Sequence, residues 1–363
     1  MQPLTLANLA ANPYRTLGIG GSADQAAIEL AARRLRIWAD PRHIPATPWD
    51  LPGLGPIDRS RAAVEQAVAR LDNPESRVQE RLTWYTGPVP PVNMPDGGKA
   101  SEGFPGMHDR AIAALHAAWA ADPEALDAPL WEDVWGRLSR LADSMDFLDW
   151  MLHIENEGGF EKRASLEEIG QATIQLVPAL AQGLRPKARS AVDRGDKAAG
   201  AALMALLRRE QAGEGSAAGR LIDDLEDEVV GRCRKAAAQL HKTLANDPAA
   251  PENHRVQNIY NSFMVAEEYR DEIAPRLKQL LDLLGPGEND RRERVQTHCA
   301  ELLMLTAIGW EWAGDPLKAK ESLLTALEVG EALPLKASIE QELARIRPEV
   351  EQARWRKRYR SRT

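Results

Sequence analysis

The chain has only two cysteines in 363 residues, Cys233 and Cys299, and neither belongs to a CxxC pair. That excludes a disulfide scaffold and a zinc ribbon, and both read as reduced core thiols of a cytoplasmic protein. Long apolar runs are also lacking. No stretch approaches the roughly 18 apolar residues of a membrane span. Met1-Gln2-Pro3-Leu4-Thr5 has no basic segment leading into an apolar core, so no signal peptide is predicted. Positive charge is not in excess: the net charge is −8, so no overall field draws the chain to nucleic acid or to an anionic membrane. Aromatics are scarce at 5%, yet ten are Trp and only four are Phe. Trp usually sits half-buried with its N–H seeking a partner, which favours helix–helix contacts over one thick core.

Catalytic signatures are missing as well. There is no metal-binding HExxH, no phosphate-binding GxxxxGK and no recognisable nucleophile setting. His298 and Cys299 are adjacent on a helical pattern and so diverge by about 100°. His108, His116 and His153 are too scattered for a metal site. Gly18-Ile19-Gly20-Gly21 follows no strand, and reads as a turn before a helix capped by Ser22 or Asp24. The expectation is a chain that is not an enzyme and needs no cofactor or metal.

What the sequence does contain is helical patterning from end to end, so the expected fold class is all-α. Residues 10–86 open with Asn12-Pro13-Tyr14-Arg15-Thr16-Leu17-Gly18. A basic amphipathic helix follows from about Asp24 to Trp38, with Ile28, Ala31, Ala32, Leu35 and Trp38 on one stripe and Arg33, Arg34 and Arg36 on other faces. A Pro-rich loop leads to a second helix, about Asp58 to Leu71, whose Val64, Ala67, Val68 and Leu71 form a matching stripe. Leu71-Asp72-Asn73-Pro74-Glu75-Ser76-Arg77 ends that helix and starts a third, which returns Val78, Leu82 and Tyr85 to the core.

This order resembles the J-domain of DnaJ-type co-chaperones. Tyr14-Arg15-Thr16-Leu17-Gly18 matches the family's Tyr-x-x-Leu-Gly opening, and Ala31-Ala32-Arg33-Arg34-Leu35 falls where the family has Ala-Tyr-Arg-Lys-Leu. The segment around Pro74-Glu75-Ser76-Arg77 matches its late turn. The resemblance implies a J-like helical hairpin domain in which Arg33, Arg34 and Arg36 dock on an acidic surface of a DnaK-type chaperone. The family's His-Pro-Asp tripeptide falls on Asp40-Pro41-Arg42. Pro41 is kept to shape the loop, but the outer two positions are changed, one with reversed charge, so stimulation of the partner's ATPase is not implied.

The prolines and glycines of residues 87–107 cannot sustain a helix and read as a linker. A helical domain is expected over 108–246. His108 to Ala120 carries Ile112, Leu115 and Trp119, and Trp131, Val134, Trp135, Leu138 and Leu141 repeat the pattern. Ser165 caps a helix carrying Leu166, Ile169, Ile174 and Leu176. Leu184 to Gly219 reads as mobile connections around one short helix, Ala201 to Leu207. A long helix follows from about Leu221, whose acidic start suits the helix dipole.

Residues 253–347 read as helices at about 253–269, 271–283, 290–312, 315–329 and 334–347. The third and fourth resemble a tetratricopeptide repeat, on Ala307, Trp310, Gly314-Asp315, Ala319, Ala326 and Leu327. The tail, 354–363, carries Arg354, Arg356, Lys357, Arg358, Arg360 and Arg362 with Trp355 and Tyr359. Such a tail can bind phosphates, with aromatics available to stack on bases, and can equally be a solvated, disordered end on an acidic protein or pair with that protein's own acidic surface. Three readings follow: a divergent co-chaperone or adaptor for protein partners, an assembly scaffold whose J-like fold has no chaperone role, or a nucleic-acid-associated protein acting through the tail. None involves a membrane.

Overall fold

The computed structural model describes residues 1–37, 46–86, 104–121, 128–209, 216–244, 252–285, 287–330 and 334–360. Among them there is no strand, so the fold class is all-α. Two compact units divide the chain, Met1–Gly219 and Arg220–Thr363.

The first unit begins with α1 (Leu6–Ala10) and α2 (Pro13–Leu17). Asn12 caps α2 by accepting from the Tyr14 amide at 2.9 Å, and Pro13 fills the first turn, where its missing N–H costs nothing. The helix stops at Gly18, whose φ of 68° is left-handed; a Cβ there would come within 2.8 Å of Thr47. Asp24, one of the two anticipated caps, accepts from the Ala27 amide at 2.7 Å and starts α3 (Gln25–Ile37). Ile28, Ala31 and Ala32 are buried as the stripe predicts, Leu35 is half-buried and Trp38 lies outside the described residues, and α3 packs on α2 and on α4 (Arg61–Asp72). Asn73 ends α4 and caps α5 (Pro74–Leu82), accepting from the Ser76 amide at 2.9 Å. Val78, Leu82 and Tyr85 all reach the core.

The remaining helices of this unit are α6 (Phe104–Ala120), α7 (Ala128–Ala142), α8 (Met145–Glu157), α9 (Leu166–Ile174), α10 (Leu176–Asp193) and α11 (Lys197–Leu207). Trp131, Trp135, Leu138 and Leu141 of α7 are buried, as is Phe147 of α8. Residues 104–107, expected in the linker, already belong to α6, and 87–103 lie outside the described residues. Helices on both sides of that segment pack as one unit, α5 against α9 and α1 against α6. Ser165 and Glu168 form a reciprocal capping box on α9.

Two expectations fail in this region. The helix capped by Ser165 does not run on to Leu176: α9 ends at Ile174, with Leu166 and Ile174 exposed, and the buried Leu176 opens α10. The segment from Leu184 onward is not a set of connections either. It is the second half of α10 followed by α11, with Leu184, Ala188, Ala191, Leu203 and Leu207 buried. Alanine-rich composition masked this: Ala is the best helix former and packs closely, though it adds little to an apolar pattern. Gly183 shows how close that packing is, since a Cβ there would lie 2.3 Å from the Leu4 carbonyl oxygen.

The second unit begins within α12 (Ala217–Leu244) and continues with α13 (Glu252–Glu268), α14 (Ala274–Leu283), α15 (Asn289–Trp312), α16 (Pro316–Val329) and α17 (Lys336–Arg360). α15 is central, with α13, α14 and α16 against it. Ala307 and Trp310 on α15, and Ala319 and Ala326 on α16, are buried, and Gly314 turns the chain at a φ of 78° before Asp315 caps α16. The expected break near 270 is absent. A π-helical turn, Tyr269–Ile273, joins α13 directly to α14, and Pro275, which has no N–H to return to the preceding turn, follows at once. The last helix also overruns its expected end at 347, continuing through Pro348 to Arg360.

Candidate functional site

The exposed face of α3 is the surface that the sequence singles out. Its orientation is fixed from several sides. The Gln25 amide donates to the Gly158 carbonyl at 2.9 Å, tying the start of α3 to the end of α8. Just before it, the Gly21 amide donates to the Tyr85 carbonyl at 2.6 Å, and Ser22 Oγ donates to the Thr86 carbonyl at 2.7 Å. With Ile28, Ala31 and Ala32 turned inward, Arg33, Arg34 and Arg36 are all exposed. Two apolar residues share that surface: Leu30 is 49% exposed and Ile37 is 74% exposed. Leu30, Arg33, Arg34 and Ile37 recur at three- and four-residue steps, so they lie along one face. A mixed basic and apolar strip of this kind suits an acidic surface with an apolar patch. Asp40, Pro41 and Arg42 lie outside the described residues.

Beneath this strip the fold is held by arginines that the sequence did not mark as structural. Arg15 is buried and donates to the carbonyls of Ala10 (3.0 Å), Leu51 (3.3 Å) and Gly55 (2.5 Å), bracing the segment after residue 46 against α2. Arg59 donates to the Thr16 carbonyl at 3.0 Å and pairs with Asp50. Burial acts to raise the Asp50 carboxyl, but hydrogen bonds from Arg59 and Thr47 more than reverse this and hold it below its usual range.

Arg77 and Arg81 on α5 and Glu155 on α8 form a cluster of fully buried charges. Glu155 accepts from Arg77 at 3.0 and 2.6 Å, from Arg81, and from the Ala164 amide at 3.2 Å. Arg77 also lies 3.8 Å above the Phe160 ring. Arg77 occupies the last position of the quoted turn motif, so its presence was visible in the sequence. Its partner, 78 residues on, was not.

A second notable group is aromatic. Trp49, Trp84 and Tyr85 surround one another at 5.7–6.3 Å between ring centres, and His116 of α6 joins them at 5.1 Å from Tyr85. Neither ring nitrogen of His116 meets a partner at full hydrogen-bond geometry. Burial, with the Arg15 charge adding to it and the nearby Thr83 backbone acting weakly against it, lowers its pKa to about 3. It is therefore a neutral core histidine at ordinary pH. Two open clefts of about 300 and 330 Å³ flank Arg70, and neither is lined by Arg33, Arg34 or Arg36.

In the second unit, Cys233 and Cys299 are free, buried thiols 3.6 Å apart, across α12 and α15. The acidic start of α12 is spent on ion pairs: Asp223 and Glu226 with Arg291, Glu226 with Arg294, and Glu228 with Arg276. Among the described residues no group of three His, Cys, Asp or Glu could hold a metal, and no helix is long and apolar enough to cross a membrane. Of the tail, Arg354, Arg356 and Lys357 are exposed on α17, Arg358 and Arg360 continue the same helix, and Arg362 lies outside the described residues. No family model matches the chain, and neither a curated protein nor a solved structure matches it.

Proposed function

We propose that the chain is a non-enzymatic protein-interaction adaptor, a divergent DnaJ-like co-chaperone that holds one protein through its carboxy-terminal helices while α3 engages another. The observation that carries this reading is the exposed strip Leu30, Arg33, Arg34 and Ile37, with Arg36 exposed beside it, on a helix whose opposite face is locked into the core. Guanidinium groups offer planar, bidentate donors suited to carboxylates, and exposed apolar neighbours supply the area that charge alone does not. With Asp40 and Arg42 in the tripeptide, the adaptor binds a DnaK-type chaperone without raising its ATP turnover. The test is titration calorimetry with a purified DnaK-type chaperone at low salt. Replacing Arg33, Arg34 and Arg36 together by Glu weakens binding at least 30-fold while the far-UV spectrum is unchanged. Absence of binding by the unaltered chain rejects the docking role.

One observation favours a second reading. The buried Arg77–Glu155–Arg81 cluster ties the J-like segment to helices well beyond it, as in an assembly scaffold where that segment is a packing module. The same titration separates the two, since a scaffold of this kind shows no affinity for the chaperone.

A further inference from the structure

The carboxy-terminal end of α17 has a property that neither the adaptor role nor packing uses. Up to residue 350 the helix turns an apolar side to its unit, with Ile339, Ile346 and Val350 buried. Past Val350 that side changes character. Arg354 stands four residues on and Lys357 seven residues on, both on the face that Val350 buries, and both are exposed. A core-facing stripe cannot turn cationic and still pack, so from there the helix continues as an arm of about 15 Å, ten residues at about 1.5 Å each.

At about 100° per residue, positions 354, 356, 357, 358 and 360, each Arg or Lys, span an arc of about 200° of the helix register. Trp355, 64% exposed, and position 359 share the remaining side. The distribution separates three polyanionic partners. An amphipathic helix that inserts into a membrane surface needs a continuous aliphatic face, and this arm has only two aromatic positions opposite its charges. An acidic protein surface is met by a single stripe of cations. An arc of about 200° instead matches a ligand that presents negative charge on two sides at once. The major groove of B-form DNA, about 12 Å wide, accepts a helix of about 10–12 Å and lines it with a phosphate row on each wall. The A-form major groove is too narrow for such an arm.

We infer that residues 354–360 form a helical arm that binds the phosphate backbone of duplex DNA from within the major groove. The arm carries no Asn or Gln to read adenine, and its cations are assigned to the phosphate rows, contacts that carry no sequence information. The rest of the chain is acidic overall, so the attraction comes from the cations of the arm.

The test uses the full chain and a fluorescently labelled 20-base-pair duplex, followed by anisotropy. Five phosphate contacts give a slope of about −4.5 for log affinity against log salt, a loss of about 500-fold between 50 and 200 mM. Replacing Arg354, Arg356, Lys357, Arg358 and Arg360 by Gln removes binding at 50 mM salt with no loss of helix by circular dichroism. A second variant with the four arginines as Lys retains it to within a few fold, because point charges suffice for phosphate contact. Equal affinity of the Gln variant and the unaltered chain overturns the inference. So does displacement of the duplex by poly-glutamate or phosphatidylserine vesicles as readily as by unlabelled duplex, and so does tighter binding of single strands.

Discussion

Glu155 offers the sharpest test of how the first unit is held together. Its carboxylate is fully buried and, among the described residues, is the only acidic partner of two buried guanidinium groups, Arg77 and Arg81. Glu155→Gln preserves the shape but removes the charge, leaving two cations in a low-dielectric interior. Breaking one buried pair costs about 3–5 kcal/mol, and here a single change strands both arginines, so the upper end, about 5 kcal/mol, is expected. Set against a typical domain stability of about 5–15 kcal/mol, that is a third or more of the total. Urea titration of the full chain, followed by far-UV circular dichroism, reads the loss as a lower midpoint for the transition of the first unit. The companion variant replaces Arg77 and Arg81 by Met and Glu155 by Leu together. It is expected to be neutral or up to about 4 kcal/mol more stable, because desolvating three charges then costs nothing. A loss below about 1 kcal/mol for Glu155→Gln would refute the reasoning, since it means water reaches the cluster. The pH dependence has a definite sign. Burial acts to raise the Glu155 carboxyl, but hydrogen bonding from Arg77 and the charges of Arg81 and Arg77 outweigh it and hold the group below its ordinary value of 4.5. The cluster therefore contributes fully above that value, and the contribution fades as pH falls below it.

Two further variants follow from the packing. His116 has a folded pKa of about 3 against 6.5 ordinarily, so the unfolded chain takes up its proton first as pH falls from 6.5. At about 1.4 kcal/mol per unit, it removes about 3 kcal/mol of stability between pH 7 and pH 4. His116→Leu lacks this loss, visible as a smaller drop in Tm between those pH values; an unchanged drop contradicts the assignment. Gly183→Ala is expected to destabilise by about 1–3 kcal/mol, because the new methyl meets the Leu4 backbone and the overpacking outweighs a helix-propensity gain of about 1 kcal/mol. Gly170→Ala, where nothing lies within 4 Å, keeps only the propensity gain and raises Tm.

Local chemistry made much of the fold legible. Asn12-Pro13, Asn73-Pro74, Ser165 with Glu168, and Gly314-Asp315 each start or stop a helix where their side chains or backbone freedom require it. Apolar periodicity likewise placed Ile28, Val64, Leu71, Val78 and Leu138 in the core. It misled where alanine replaced larger residues, at α10 and α11, and where no glycine or cap interrupts a pattern, as in the π turn after α13. The candidate strip was legible only in part. Arg33, Arg34 and Arg36 stood out by charge, whereas the exposure of Leu30 and Ile37 depends on which face of α3 its neighbours cover.

By itself, then, the sequence determined that this protein is helical and where most helices begin, because capping and periodicity act within a few residues. Tertiary structure alone decided the fate of the arginines. Arg33 and Arg34 reach water, while Arg15, Arg77 and Arg81 lie in the core. A guanidinium is buried only where acceptors converge on it, and beside one nearby carbonyl each the remaining acceptors include ones 40 residues away for Arg15 and 78 for Arg77. No local pattern carries that information, since it arises when the chain closes and brings a distant carboxylate or carbonyl into reach.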